Sequence, residues 1–424
     1  MKKLFVLLIA SSVLFFAGCE DRSELTPPEP PSTGTVSFEN FVTLGNSLTA
    51  GYQNGALYES AQIYSFGNLI AKQVGATFEQ PIISDPGTGG RLEVSSLTAT
   101  GIYVNPNRGT PKNATYPKAY NNLGVPGAFL YDIANATSST TCYSYVFGGQ
   151  ANPLFDLILR GNGSQLALAK SLNPTLVTLW IGNNDILGHA TSGGTLPYTP
   201  SVNFAALYNA LATELAGTGA KVVVANIPDV TSIPFFTTVG PTLYLQNIKY
   251  VWGVNSTGDT VLMNVLTNYL TLKASELLAQ GKGSTPNDPL PNSVILDSLE
   301  ALNVKNVINE YNTIIATIAE AKGFGLVDAN KLLNNAIKGL VVDGIKFSTQ
   351  YVTGGLFSLD GVHPTNRGYA IVANEFIKVI NEKWGANIPY INVAEIPGSL
   401  ILHKGYNALG LPKIPEGALD NLLF

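Results

Sequence analysis

The sequence predicts a three-layer α/β/α fold in which a doubly wound parallel sheet carries helices on both faces. Three observations predict it. Short, continuous apolar runs bounded by Gly, Asn or Pro recur along the chain, as strands buried on both faces require. Stretches with helical periodicity lie between and after them. The 424 residues, 45% of them hydrophobic, supply enough apolar surface for a large core. Strands alternating with helices imply right-handed βαβ units, and ligands in such sheets gather at the carboxyl ends of the strands.

The chain opens with Lys2 and Lys3, an apolar run from Leu4 to Phe16, and then Ala17, Gly18 and Cys19. A short basic segment, an apolar stretch of this length and small residues before a cleavage point predict a secretory signal over residues 1–18. With Cys at that point the segment resembles a bacterial lipoprotein signal, in which cleavage precedes the Cys and its sulfur is lipidated. Phe16 departs from the Leu usual three residues before the Cys. Lipid on Cys19 would leave Cys142, the other of the two cysteines, as a buried small side chain. The alternative is plain secretion with a Cys19–Cys142 disulfide.

Residues 19–37, rich in proline and nearly free of apolar side chains, are expected to form an extended tether. The folded body is expected from Phe38 to residue 390, with residues 391–424 as a tail packed on it. The expected strands are Phe41–Gly45, Thr175–Gly182, Lys221–Pro228 and Gly325–Ala329. In the clearest helix, Asn366 to Trp384, the residues Tyr369, Val372, Ala373, Phe376, Ile380 and Trp384 form one apolar face, and Thr365 is placed to cap it. Residues 229–322 are long for one crossover. They are read as an insertion over the active edge, or as a helical subdomain apart from it.

Composition narrows the function. Charged residues are 12% of the chain and the net charge is −5, which excludes a disordered chain and argues against a phosphate-backbone partner. No nucleic acid is expected. Neither a metal-ligand motif nor a dinucleotide-binding glycine pattern appears in the sequence, so no cofactor or metal is expected.

Four islands could carry chemistry. GNSLTAG places Ser47 just past the first strand, where a chain turning into a helix leaves backbone N–H groups unpaired. NNLGVPGAFLYD contains Gly127, whose missing Cβ allows close backbone approach. IGNNDILG offers the Asn184 amide as an uncharged donor toward a developing negative oxygen, or is a turn with Asp185 as a helix cap. DGVHPTNRG sets Asp360 three residues before His363, so the carboxylate can fix one imidazole nitrogen and free the other as a base. Each island read alone is also an ordinary turn. The remaining histidines, His189 and His403, lack such a partner and are read as structural.

In content and in order, the four islands resemble the SGNH hydrolases, or GDSL esterase/lipase family. The resemblance spans Phe41 to about Trp384. It implies the flavodoxin-like SGNH hydrolase fold, with Ser47 as nucleophile, His363 as base, Asp360 as its orienting partner, and an oxyanion hole made by the Ser47 N–H, the Gly127 N–H and the Asn184 side chain. Gly124 is the second choice for Gly127. Asn46 stands where the family name has Asp.

The expected activity is a serine esterase or lipase acting on an ester substrate, an acyl lipid or an acylated glycan. A carbohydrate acetyl esterase and a noncatalytic surface binder are the alternatives. Ile233, Pro234, Phe235, Phe236, Tyr250 and Trp252 could line an acyl pocket or form insertion core. The expected location is extracytoplasmic, with membrane attachment through a lipid anchor only.

Overall fold

A computed structural model describes residues 30–96, 101–398 and 417–419. Cys19 and His403 lie outside them. Five parallel strands make the central sheet: β1 (Phe41–Gly45), β2 (Asn122–Gly124), β3 (Leu176–Trp180), β4 (Lys221–Ala225) and β5 (Gly325–Val327). Their order is β5-β4-β3-β1-β2, the flavodoxin-like doubly wound order with its topological switch between β1 and β3.

Strand periodicity divides the molecule into two cores. Val42, Leu44, Val177, Leu179, Val222 and Val224 face one core, while Phe41, Leu176, Trp180, Val223 and Ala225 face the other, as alternate residues of a pleated strand must. On the first side lie α3 (Gln165–Ser171), α4 (Asn184–Thr191), α5 (Ser201–Ala216) and α6 (Ser298–Ala321). On the second lie α2 (Phe66–Val74), α7 (Ala329–Ile337) and α8 (Asn366–Trp384). A short helix, α1 (Ser47–Ala50), follows β1 directly.

The best-marked sequence features fold as their chemistry dictates. Thr365 accepts the Gly368 N–H at 3.1 Å and starts α8, and Gly385 ends it at φ 62°. Phe376 of α8 stacks on Phe66 of α2 at 4.7 Å, both fully buried, and clamps the two helices over the sheet. Asp297 and Glu300 form a capping box that starts α6.

Three boundaries differ from expectation. The sheet has an unforeseen edge strand, β2, only three residues long; it pairs with β1 beside an Asn121 Nδ2 bond to the Phe41 carbonyl at 2.8 Å. The long segment after β4 is an insertion only to about residue 297, because α6 is the crossover helix that packs on α5 and the sheet. Its two antiparallel pairings, the hairpin of Tyr250–Val254 with Thr260–Asn264 and the longer-range pair of Tyr269–Leu270 with Ile295–Leu296, precede α6. At the amino end, packing begins ahead of Phe38: Ser32 and Asn387 exchange backbone hydrogen bonds, and Val36 is buried.

Residues 391–398 of the tail lie on α8 through paired bonds between Asn374 and the backbone of Ile391. Cys142 is buried and free. No helix among the described residues is long and apolar enough to cross a membrane.

Candidate active site

The site grows out of the end of β1. Gly45 sits at φ 155°, and a Cβ there would fall 2.3 Å from the Trp180 carbonyl oxygen and 2.2 Å from Thr49 Oγ1, so only glycine lets β1 and β3 close up at this point. The chain then turns sharply into α1. Asn46 caps it by accepting the Leu48 N–H at 3.0 Å, and its Nδ2 donates to Asn183 Oδ1 at 3.2 Å. The residue that departs from the family name thus bridges the ends of β1 and β3. Ser47, next in the chain, is 3% exposed and donates its backbone N–H to no described residue.

Asp360 and His363 come from the loop before α8. The Asp360 Oδ2 to His363 Nδ1 distance is 3.0 Å, and both residues are buried. Asp360 Oδ1 also accepts the Val362 and His363 N–H groups at 2.9 and 2.8 Å, and Oδ2 accepts the Gly55 N–H at 3.1 Å. Burial alone would raise this carboxyl, but the facing imidazole and these donors outweigh it and hold Asp360 below the ordinary carboxylate range. An acid held ionised against Nδ1 leaves Nε2 as the nitrogen of His363 not engaged by Asp360.

Asn184 opens α4 at the end of β3, and its Nδ2 donates to the Ala128 carbonyl at 2.9 Å. One amide hydrogen is used and the second remains. In the glycine loop the two candidates separate. Gly124 donates its N–H to Asn122 Oδ1 at 3.0 Å, and its bare Cα lets α1 pass, since a Cβ would fall 2.4 Å from the Ala50 nitrogen. Gly127, at φ 79°, donates its N–H to no described residue.

Two carboxylates brace this loop. Asp132 accepts the Phe129 N–H at 2.8 Å and the Tyr143 N–H at 2.6 Å, and burial pushes it up to about 7. Asp185 accepts the Leu130 N–H at 2.9 Å and the Thr199 hydroxyl at 2.8 Å, and burial pushes it up to about 6. Asp185 therefore holds the glycine loop rather than capping a helix.

Ser47, Asn184 and His363 line one cavity at the carboxyl end of the sheet, together with Asn46 and Asn183. Its space is about 870 Å³, open mouth included. Ser47 and Asn184 follow β1 and β3, so they flank the switch point where doubly wound sheets bind ligands. Gly127 is not part of the cavity wall; the Asn184–Ala128 bond ties its loop to it.

The rest of the wall is apolar, and much of it has an unexpected source. Leu332, Leu333 and Ala336 of α7, with Leu340, Leu356 and Ile371, supply it. Of the six insertion residues considered for an acyl pocket, only Ile233 reaches the cavity. Phe235 and Phe236 are fully buried core, and Tyr250 is 53% exposed on a hairpin. The insertion still touches the active edge, since the Phe235 N–H donates to the Gly361 carbonyl at 3.0 Å.

His189 lies in the last turn of α4, its Nδ1 2.6 Å from the Leu196 carbonyl, and takes no part in the cavity. Among the described residues no cluster of His, Cys, Asp and Glu could hold a metal ion. Asn54 and Gly55 were not singled out, although both touch the Asp360 loop. An Asn-Gly pair signals a turn anywhere, and nothing local says what the turn binds.

Several solved structures are similar to this chain. An acetylxylan esterase from Geobacillus stearothermophilus is 13% identical with a TM-score of 0.37, the match covering 82% of this chain and 97% of that one. A lipase/acylhydrolase from Enterococcus faecalis is 14% identical with a TM-score of 0.34, over 83% and 98% of the two chains. An alpha/beta hydrolase enzyme from the metagenome of Lake Arreo, Spain, is 12% identical with a TM-score of 0.36, over 80% and 94%. Among curated proteins none matches. The GDSL-like Lipase/Acylhydrolase family profile matches residues 41–376, well over half of the chain. The chain belongs to that family, and it is an ester hydrolase.

Proposed function

We propose that this ester hydrolase is a serine esterase that works through Ser47, His363 and Asp360. The observation that carries the reading is the shared cavity: Ser47, His363 and Asn184 line one apolar cleft, and Asp360 stands 3.0 Å behind the imidazole.

His363 Nε2 takes the proton from Ser47 Oγ as that oxygen attacks the ester carbonyl carbon. The resulting oxyanion is met by the remaining N–H of Asn184 and the uncommitted N–H of Ser47; the family resemblance adds the uncommitted N–H of Gly127, whose loop Asn184 ties to the cavity. Collapse breaks the bond to the alcohol, which leaves with the proton from His363. Water then attacks the acyl-enzyme through the same base, and the carboxylic acid departs. Asp360 stabilises the imidazolium that forms in both halves.

The apolar wall favours an ester with an apolar acyl group over an acetylated glycan, because an acetyl group would leave most of that surface unused. Secretion behind a cleaved signal and attachment through lipid on Cys19 belong to the same reading.

The experiment compares nitrophenyl acetate with nitrophenyl butyrate and octanoate, for the native enzyme and for Ser47→Ala. Turnover that rises with chain length and vanishes in Ser47→Ala is expected. Preference for acetate would favour the glycan esterase, and full activity in Ser47→Ala would remove the assigned nucleophile.

A further inference from the structure

The turn that follows the serine helix is bonded, residue after residue, to the loop that supplies the acid and the base. Tyr52 accepts the Tyr369 hydroxyl on its carbonyl at 2.8 Å. Gln53 Nε2 donates to Asn366 Oδ1 at 2.8 Å. Asn54 donates its N–H to Ser358 Oγ at 3.0 Å and accepts the Leu359 N–H on Oδ1 at 2.9 Å. Gly55 donates to Asp360 Oδ2 at 3.1 Å. The Tyr52 ring also lies 4.8 Å from the His363 ring.

Asn54 is the centre of this seam. It is 1% exposed, and it holds a left-handed backbone at φ 51°, which Asn tolerates better than other side chains. Both ends of its amide are used, because Nδ2 donates to the Tyr58 hydroxyl at 2.7 Å while Oδ1 takes the Leu359 N–H. Its carbonyl accepts the Leu92 N–H at 2.7 Å, which anchors the turn on a second side. An amide bonded at both its nitrogen and its oxygen has one orientation, and that orientation sets where residues 358–360 lie relative to α1.

We propose that Asn54 is a positioning residue. It touches neither substrate nor reacting atoms; by gripping Leu359 and placing Gly55 against Asp360, it holds the acid–base pair in line with Ser47. Tyr58 acts one step further out by fixing the Asn54 amide. The inference rests on the proposed roles of Ser47, His363 and Asp360, since it concerns how they are held in register.

Asn54→Gly is the test, because glycine accepts φ 51° freely and the change removes the amide without adding backbone strain. The assay is hydrolysis of nitrophenyl acetate, with folded protein counted by circular dichroism and thermal melting. For Asn54→Gly the expected result is a fall in kcat of about 10- to 100-fold, with KM held within about twofold. Tyr58→Phe, which keeps the ring and removes only the hydroxyl, should lower kcat in the same direction by less. Should Asn54→Gly fail to fold, Tyr58→Phe carries the test alone.

Native kcat in a folded Asn54→Gly, or in Tyr58→Phe where that variant stands alone, overturns the proposal. A loss that appears only in melting temperature, with kcat per folded molecule unchanged, overturns it too. Full turnover in Ser47→Ala overturns the serine mechanism instead, and the positioning role falls with it; that result is separate from a normal serine enzyme indifferent to Asn54.

Discussion

Replacing Asp132 with asparagine should change how stability depends on pH, by an amount the structure sets. Asp132 is fully buried, and burial pushes its carboxyl from 3.8 up to about 7 despite the Phe129 and Tyr143 N–H groups bonded to it. Between those two values the folded chain keeps a proton that the unfolded chain has lost, so stability must fall as pH rises. Over the full window the difference is about 4 kcal/mol, at about 1.4 kcal/mol per pKa unit. A side-chain amide cannot titrate, so this part of the slope disappears with the substitution.

Urea unfolding of both proteins at pH values spaced between those limits reads the effect, with Asp185, the smallest of the influences on Asp132, as the one neighbouring carboxyl whose titration in that window also shifts. The unfolding free energy of Asp132→Asn minus that of the native protein should climb by about 4 kcal/mol from about pH 4 to about pH 8, whatever its starting offset. A difference that stays level, or declines with pH, would refute the argument that desolvation dominates at this carboxyl.

Two further outcomes follow from the site and from the start of the chain. Asn184→Ala removes a donor from the proposed oxyanion hole and the tie to Ala128, so kcat should fall about 10²- to 10³-fold in steady-state assays; a loss under about threefold would take Asn184 out of the chemistry. Cys19→Ser should abolish fatty-acid labelling and move the protein from the membrane pellet to the soluble fraction, and retention in the pellet would count against a lipid anchor at that residue.

Legibility along the chain followed burial. The strands β1, β3 and β4 lie inside the sheet with both faces covered, and the short edge strand β5 is Gly-Leu-Val, so each is an apolar run that stands out among Gly, Asn and Pro. β2 is a three-residue edge strand, Asn122–Leu123–Gly124, and its pattern is that of a turn. α8 was readable from its stripe and its cap, whereas α7 is nine residues long with four Asn or Lys among them, and its apolar side shows only against the cavity.

Ser47, Asn184, Asp360 and His363 were legible as candidates because each sits in a recognisable local motif, at a strand end for Ser47 and Asn184 and in the loop before α8 for Asp360 and His363. Asp185 and Asn54 were not, because their partners arise from tertiary structure. Asp185 binds Leu130, 55 residues away, and Asn54 binds Leu359, 305 residues away. A turn-forming side chain looks the same in sequence whether it binds its neighbour or the far end of the domain.

The seam between residues 52–55 and 358–369 joins parts of the chain made far apart in time. Contacts closed over some three hundred residues are costly to form early and come late in folding. If Ser47, His363 and Asp360 act as proposed, a chain made only as far as the serine helix carries an alcohol with neither base nor acid and is inert toward esters. On that mechanism hydrolytic capacity arrives only once α8 and the loop before it have docked on the serine helix, so late closure of this seam is itself the safeguard against cleaving esters too soon.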